Sequence, residues 1–431
     1  MARLNECILY RNFEHGEILD KMAELMNAWE QKAPDLKEKE GLFFECANGL
    51  VETAGAYGFS GNLWHCYLTF LLVNNENAFS TACEIRGAVN GSINELALND
   101  FGVFKELYDF DLTVLDEAFG ISCCKVLGDY TNTGSNSKMF NSRIRDRICD
   151  LSKTLAAAES TEEFMKDMVQ FYKDFGVGKL GLHKAFRVGH DENDNVEIQP
   201  ITRIAHVKLE DLVGYEIPKQ KLIENTEAFV RGRKANNCLL FGDAGTGKSS
   251  SIKGILNRYY DEGLRIIEVY KHQFQDLNDV IAQIKNRNYK FIIYMDDLSF
   301  EEFEIEYKYL KAVIEGGLEK KPDNILIYAT SNRRHLVRET FKDKADRDEE
   351  LHTNDTVQEK LSLVARFGVT IYFGKPDKKE FQKIVTTLAD RYGVEMEEEK
   401  LLLEANKWEL SHGGLSGRTA QQFIDYLLGQ Q

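Results

Sequence analysis

The chain contains the stretch Gly242-Asp243-Ala244-Gly245-Thr246-Gly247-Lys248-Ser249, which fills every position of the phosphate-binding pattern G-x-x-x-x-G-K-[ST]. An apolar run over 237–241, typical of a buried strand, precedes it, and a helical pattern over 250–260 follows. The glycines allow a tight turn whose N–H groups can point at phosphate oxygens, and the helix N-terminus adds a favourable dipole. This order of strand, loop and helix predicts a P-loop and disfavours a chance glycine-rich turn.

The residue types in this loop suggest a separate role for each in binding ATP and Mg²⁺. We expect Lys248 to reach the β- and γ-phosphates of ATP and the Ser249 hydroxyl to ligate Mg²⁺. The remaining expected nucleotide-binding residues of the loop are Gly242, Asp243, Ala244, Gly245, Thr246, Gly247 and Ser250.

Two acidic residues end another apolar run, Lys290-Phe291-Ile292-Ile293-Tyr294-Met295-Asp296-Asp297. Ligands bind at the carboxyl ends of the strands in an open parallel sheet, so these acids are expected near the phosphates. We expect Asp296 to hold Mg²⁺ and Asp297 to act as the general base or water-orienting carboxylate, with Glu301 as the fallback base. The alternative is that both acids cap the following helix.

Further apolar runs at 265–270, 324–332 and 369–373 complete a predicted five-stranded parallel α/β sheet. A polar side chain at the end of the run over 324–332 can lie between the acids and the γ-phosphate. The pattern from Asp377 onwards is helical and predicts a small C-terminal helical lid.

The first part of the chain predicts a mainly α-helical domain. Apolar residues recur at helical spacing in segments near 15–33, 36–57, 62–73, 93–109, 111–127, 138–158 and 161–175. The glycines of 176–181 match G-x-G-x-x-G but follow a helix rather than a strand, which favours a hinge over a second nucleotide site. We therefore expect a helical domain over 1–180, an extended connector over 181–208, an α/β core over 209–375 and a lid over 376–431.

Charge and cysteine usage limit the classes of function. Residues 1–200 carry 19 Lys and Arg against 32 Asp and Glu, a net charge of −13 of the −16 for the chain, which disfavours this part as a nucleic-acid platform. The eight cysteines include no C-x-x-C pair, and the longest apolar run, 66–73, is too short to span a bilayer. We expect a reduced, soluble, cytoplasmic protein without membrane contact. The pair Cys123-Cys124 is either buried in a helix or a redox or metal feature.

Several motifs in order make residues 209–431 resemble an AAA+ ATPase module. They are GDAGTGKS as Walker A, FIIYMDD as Walker B, YATSNRR with sensor 1, LSLVARFG with the arginine finger and LSGRT with sensor 2. The strings GDAGTGKSS, DDLSFE, YATSNRRHLV and EKLSLVARFG together resemble one bacterial family of P-loop ATPases, which is catalogued as a conserved domain of unknown function.

The resemblance implies roles for further residues. Asn332 is the implied sensor 1, with Ser331 as the near alternative. Arg366 is the implied arginine finger, acting on the ATP of a neighbouring subunit, with Arg333, Arg334 and Arg347 as competitors. Arg418 is the implied sensor 2. The segment Val213-Gly214-Tyr215 resembles the one that packs near adenine in such modules.

The resemblance further implies an ATP- and Mg²⁺-dependent ATPase, a homo-oligomer, and an unidentified protein partner bound through the N-terminal domain. Two departures leave alternatives open. Walker B ends in Asp-Asp rather than Asp-Glu, which fits a nucleotide-gated scaffold with little hydrolysis, or a DNA-associated loader. The segment 271–276 lacks the pore-loop pattern of threading unfoldases.

Overall fold

The chain divides between His183 and Lys184 into two units, Met1–His183 and Lys184–Gln431. The computed structural model describes the following residues: 4–87, 90–132, 142–202, 204–205, 207–300, 305–315, 322–332, 336 and 363–430.

The first unit is α-helical, as the apolar spacing predicts. Its helices are α1 (Glu17–Glu30), α2 (Glu40–Tyr57), α3 (Leu63–Asn74), α4 (Ala78–Arg86), α5 (Ser92–Asp109), α6 (Thr113–Phe119), α7 (Cys124–Gly128), α8 (Ser142–Ala157), α9 (Thr161–Phe175) and α10 (Gly178–Leu182). The almost wholly apolar α3 is buried on all sides, and its N-terminus is capped by Asn62, which accepts a hydrogen bond from the His65 N–H at 3.1 Å. The helices enclose one core rich in aromatic side chains.

Two details of this unit differ from the sequence-based expectation. The single helix expected over 111–127 is two helices, because Gly120 ends α6 in the left-handed region at φ 73°. The segment 176–181, expected to be a hinge, includes most of the short helix α10, in which Gly178 and Gly181 are buried. Gly181 packs closely there, since a Cβ on it would lie 2.7 Å from the carbonyl carbon of Gly176.

The second unit is built on a seven-stranded sheet rather than the five-stranded one expected. Its strands are β1 (Ala185–His190), β2 (Val196–Pro200), β3 (Cys238–Gly242), β4 (Leu264–Glu268), β5 (Lys290–Met295), β6 (Ile325–Ser331) and β7 (Val369–Phe373), in the order β2-β1-β4-β5-β6-β3-β7. Six strands are parallel, and β2 is antiparallel to β1. The two additional strands come from the segment expected to be an extended connector.

The strand order decides which residues meet at the carboxyl edge of the sheet. Strand β6 lies between β3, which leads into the phosphate loop, and β5, which leads into Asp296. The register pairs Phe241 with Ser331 and Met295 with Ala329. The residues following all three strands therefore lie next to one another.

Helices surround this sheet and form a bundle at the end of the chain. The helices next to the sheet are α11 (Glu216–Val230), α12 (Lys248–Tyr259), α13 (Leu277–Ile284) and α14 (Glu306–Glu315), and the C-terminal bundle consists of α15 (Lys378–Tyr392), α16 (Glu398–Ser411) and α17 (Gly417–Leu428). Asp377 begins α15 with a capping box to Glu380, and Ser416 caps α17. The bundle has an apolar core of its own.

Within the described residues, no helix is long and apolar enough to cross a membrane.

Candidate nucleotide-binding site

Three glycines of the phosphate loop adopt backbone conformations that other residues rarely take. The φ angles are 137° at Gly242, 74° at Gly245 and 88° at Gly247. A Cβ on Gly242 would lie 2.1 Å from the carbonyl oxygen of Phe373 in β7. The loop thus turns tightly between β3 and α12, which begins at Lys248. This is the strand, loop and helix arrangement that the pattern requires.

Lys248 lies at the centre of the site and is only 6 % exposed. Its Nζ donates hydrogen bonds to the carbonyl oxygens of Gly242 (3.1 Å) and Asp243 (2.6 Å) and to Asn332 Oδ1 (3.0 Å). Burial lowers the pKa of Lys248, opposed by nearby carboxylates, Asp297 foremost. The hydrogen-bond acceptors of the ammonium group are all neutral oxygens. An anionic ligand at the loop would raise the pKa of Lys248 and stabilise its charged form.

Ser249 and Asp296, the two residues expected to bind Mg²⁺, are in hydrogen-bond contact with each other. Ser249 Oγ donates to Asp296 Oδ1 at 2.8 Å. The same oxygen accepts from Tyr294 Oη at 2.7 Å, Thr330 Oγ1 at 2.5 Å and the Asp297 N–H at 3.2 Å. Partial burial raises the pKa of Asp296, but these hydrogen bonds outweigh it, so the net effect is a lowered pKa and an ionised carboxylate.

Asp297 adopts φ 49°, an uncommon value for an aspartate. Its N–H donates to Thr330 Oγ1 at 2.9 Å, and its Oδ1 accepts from Asn332 Nδ2 at 2.7 Å. Because Asn332 also accepts from Lys248, one amide connects the lysine to the second carboxylate. Ser331, the alternative to Asn332, is buried within β6 on the face opposite Thr330 and Asn332.

These groups open into a cleft of about 650 Å³. Its lining includes Val213 and Tyr215 from the segment before α11 and Arg418 from α17, three residues expected at the nucleotide. Gly214 lines a neighbouring depression instead. Tyr215 packs its ring against Phe373 with centroids 5.6 Å apart, and burial raises its pKa to about 12. The cleft thus has an apolar wall beside a polar phosphate loop.

The C-terminal bundle is hydrogen-bonded to the phosphate loop. The Arg418 N–H donates to the Gly245 carbonyl at 3.2 Å, and Asp243 Oδ2 accepts from the Lys375 N–H, on the segment leading into α15, at 3.0 Å. A Cβ on Gly245 would lie 3.0 Å from Ser416 Oγ. The bundle therefore forms one wall of the cleft.

Arg366 does not line this cleft. Its guanidinium pairs with Glu315 at the end of α14, and its Nη1 is buried without a hydrogen-bond partner among the described residues. Glu301, the fallback base, lies outside the described residues. Arg333, Arg334 and Arg347, the competing finger candidates, also lie outside them.

Two contributors to the site were not singled out from the sequence, Tyr294 and Thr330. Both hydroxyls bind Asp296 Oδ1. Tyr294 falls in an apolar run and reads as core. Thr330 could have been identified from the sequence, because side chains two residues apart in a strand share a face, and this puts Thr330 on the same face as Asn332.

The loop geometry and the parallel sheet define the second unit as a P-loop α/β domain. The model of the family described as "Protein of unknown function (DUF815)" matches residues 182–431. Because the match covers more than half of the chain, the protein belongs to this family.

Solved structures similar to the chain include several of RuvB from Thermotoga maritima. A point mutant of RuvB shares 18 % identity at a TM-score of 0.36, over 51 % of this chain and 64 % of that one, less than two thirds of its length. The RuvB Holliday junction branch migration motor shares 15 % identity at a TM-score of 0.33, over 52 % of this chain and 72 % of that one. Likeness at this level carries no conclusion about activity. No curated protein matches the sequence.

Proposed function

We propose that this protein is an AAA+ ATPase that binds ATP with Mg²⁺ and hydrolyses it to ADP and phosphate. The observation that carries the proposal is the convergence of Lys248, Ser249, Asp296, Asp297 and Asn332 at one mouth of the cleft. The five residues come from three separate segments, and together they supply the cation, the metal ligands, the base and the polar positioning group that the proposed phosphoryl transfer needs.

The residues fit both ligands. Glycines form the loop backbone where a Cβ on Gly242 would collide with β7, and a lysine and a helix N-terminus favour an anion. Ser249 and Asp296 offer a hydroxyl and a carboxylate, the oxygen ligands that Mg²⁺ prefers. When bound, Mg²⁺ held by Ser249 and Asp296 would supply positive charge that offsets the negative charge developing on the phosphates.

In the proposed reaction, Lys248 leaves the loop carbonyls and binds the β- and γ-phosphate oxygens. Asp297 accepts a hydrogen bond from the attacking water and orients it in line with the γ-phosphate, while Asn332 holds that carboxylate in place. Arg418 closes over the γ-phosphate from the bundle. Arg366 serves as the arginine finger for the neighbouring subunit of a homo-oligomer.

The work output is movement of the C-terminal bundle, which acts as a lid, relative to the sheet. The role proposed for the N-terminal helical domain is to bind an unidentified protein partner that this movement remodels. Its excess of acidic residues favours a protein partner over nucleic acid.

A second candidate is a nucleotide-gated scaffold with little hydrolysis. The observation that favours it is the short reach of Asp297, whose carboxylate already accepts a hydrogen bond from Asn332 at 2.7 Å. A scaffold of this kind would bind ATP tightly and stoichiometrically but show no turnover at any protein concentration, whereas an ATPase would show turnover.

The test combines calorimetry of ATP–Mg²⁺ binding, turnover and light scattering on the same samples. We expect binding by the wild type, loss of binding in Lys248→Ala, and turnover per subunit that rises with assembly. Lys253→Ala, five residues further along α12 and outside the cleft lining, is the matched control. Retained ATP affinity in Lys248→Ala would refute the site.

A further inference from the structure

Two thiols from different helices meet inside the first unit. Cys66 lies on α3 and Cys149 on α8, and their Sγ atoms are 4.0 Å apart. The side chains are 1 % and 7 % exposed, and all eight cysteines of the chain are free. Cys66 and Cys149 are far apart in the sequence, in which only the adjacent Cys123 and Cys124 stand out as a possible pair.

The two thiols have different surroundings. Cys66 donates to Cys149 Sγ and also lies 3.5 Å from Ser152 Oγ and 3.6 Å from the Ser60 carbonyl oxygen. The hydrogen bond from Cys66 lowers the pKa of Cys149 against the opposing effect of burial, helped by the positive charge of Arg145. The same contact, together with burial, raises the pKa of Cys66. One sulfur is therefore the better nucleophile, and the other stays protonated beside it.

We propose that Cys66 and Cys149 form a reversible oxidation site that closes to an intrachain disulfide when the protein meets a peroxide. The geometry is suitable because an S–S bond is about 2.05 Å long, so each sulfur has to move by only about 1 Å. Helices α3 and α8 pack against each other, so the two side chains lie on neighbouring helices.

The proposed chemistry proceeds in two steps. The Cys149 sulfur attacks one oxygen of hydrogen peroxide, the O–O bond breaks, and the departing hydroxide takes the Cys149 proton as water, which leaves a sulfenic acid. The Cys66 sulfur then attacks the sulfenic sulfur, the S–S bond forms, and the S–O bond breaks. The hydroxyl group leaves with the Cys66 proton as a second water. Two thiols lose two electrons, which one peroxide accepts.

The disulfide would fasten α3 to α8 across a long stretch of chain. Crosslinks that close long loops restrict the unfolded chain most, so oxidation should raise the melting temperature of the first unit, by about 5–10 °C. A thiol reductant should reverse the change.

The test uses the full chain treated with hydrogen peroxide, alkylated and digested without reduction. We expect one disulfide-linked peptide pair containing Cys66 and Cys149, the loss of two free thiols per chain, and a rise in melting temperature that dithiothreitol reverses. Cys66→Ala and Cys149→Ser should each abolish all three, with folding checked by circular dichroism. Cys83→Ala, which removes another buried thiol of the same unit, should retain them.

Three results would overturn the proposal: a linked pair formed by other cysteines, oxidation of Cys149 without Cys66, or no thiol loss in peroxide. Should a variant fail to fold, the peptide mapping of the wild type decides alone.

Discussion

The side-chain amide of Asn332 donates a hydrogen bond of 2.7 Å to the carboxylate of Asp297. Its oxygen accepts from Lys248 at 3.0 Å, so a single residue fixes the distance between the loop lysine and the second acid. Under the proposed function, this arrangement makes Asn332 a positioning residue for the base.

We expect Asn332→Ala to lower ATP turnover by about 10²-fold, because the Asp297 carboxylate loses its fixed orientation towards water. ATP affinity should change by only a few-fold, because Lys248 remains available to bind the phosphates. Steady-state turnover and calorimetry measure the two effects separately. Ser331→Ala is the control: its side chain faces away from the site, and an equal loss of turnover there would contradict the role of Asn332.

Tyr294→Phe should make protein stability less dependent on acid pH. The folded pKa of Asp296 lies below its ordinary value of 3.8, so its contribution is complete above that pH and is lost as the pH falls through the folded pKa. Removing one hydrogen bond raises that pKa towards the ordinary value. The melting temperature of the variant should therefore lie below the wild type near neutral pH, with the gap narrowing as the pH falls below about 3.8.

Tyr328→Phe provides the comparison for this prediction. Tyr328 is buried in the adjacent strand, and its hydroxyl contacts Asn225 and Thr226 rather than a carboxylate. The difference in melting temperature between Tyr328→Phe and the wild type should stay constant over the same pH range. A constant gap for Tyr294→Phe as well would show that Tyr294 does not act through Asp296.

The finger assignment predicts complementation between subunits. Arg366→Ala should lower turnover by about 10³-fold or more, as the loss of an arginine finger does in other nucleotide hydrolases. Mixing it with Lys248→Ala should restore part of the activity, since one variant supplies an intact cleft and the other an intact Arg366.

Glu315→Gln distinguishes this role from a structural one, because Glu315 is the intrachain partner of Arg366. If Arg366 only stabilises its own subunit, both variants lower the melting temperature alike and neither lowers turnover. A mixture without restored activity would also count against the finger.

Gly242→Ala should destabilise the second unit strongly. The alanine would have to adopt φ 137° with its Cβ 2.1 Å from a β7 carbonyl oxygen. Gly263→Ala has φ 93° but no atom within 4 Å, so it carries the conformational cost alone, about 1–3 kcal/mol. Denaturant unfolding should rank the two in that order, and equal losses would mean that β7 moves away without cost.

The parts of the structure that the sequence predicts well depend on local patterns. The phosphate loop, the five strands after residue 209 and the three helices of the bundle each have a signal within about ten residues. The meeting of Ser249 with Asp296 follows as well, because both stand at carboxyl ends of strands in one parallel sheet.

The hairpin of β1 and β2 was not predicted as part of the sheet. Its residues look extended, but the hairpin joins the sheet by pairing β1 with β4, about 80 residues further along, and no local pattern encodes that contact. The same reason explains why Cys66 and Cys149 attract no attention in the sequence. The pairing of Arg366 with Glu315 also depends on packing between distant elements.

Two hydrogen bonds, Arg418 to Gly245 and Lys375 to Asp243, join the C-terminal bundle to the loop that would hold the phosphates. A change in the orientation of the bundle would therefore alter the shape of the loop. A molecule that binds one orientation of the bundle more tightly changes the nucleotide affinity by some factor. By linkage, nucleotide changes the affinity for that molecule by the same factor. Under the proposed function, a partner that binds only the outer surface of the bundle and favours one orientation would therefore change nucleotide affinity without entering the cleft.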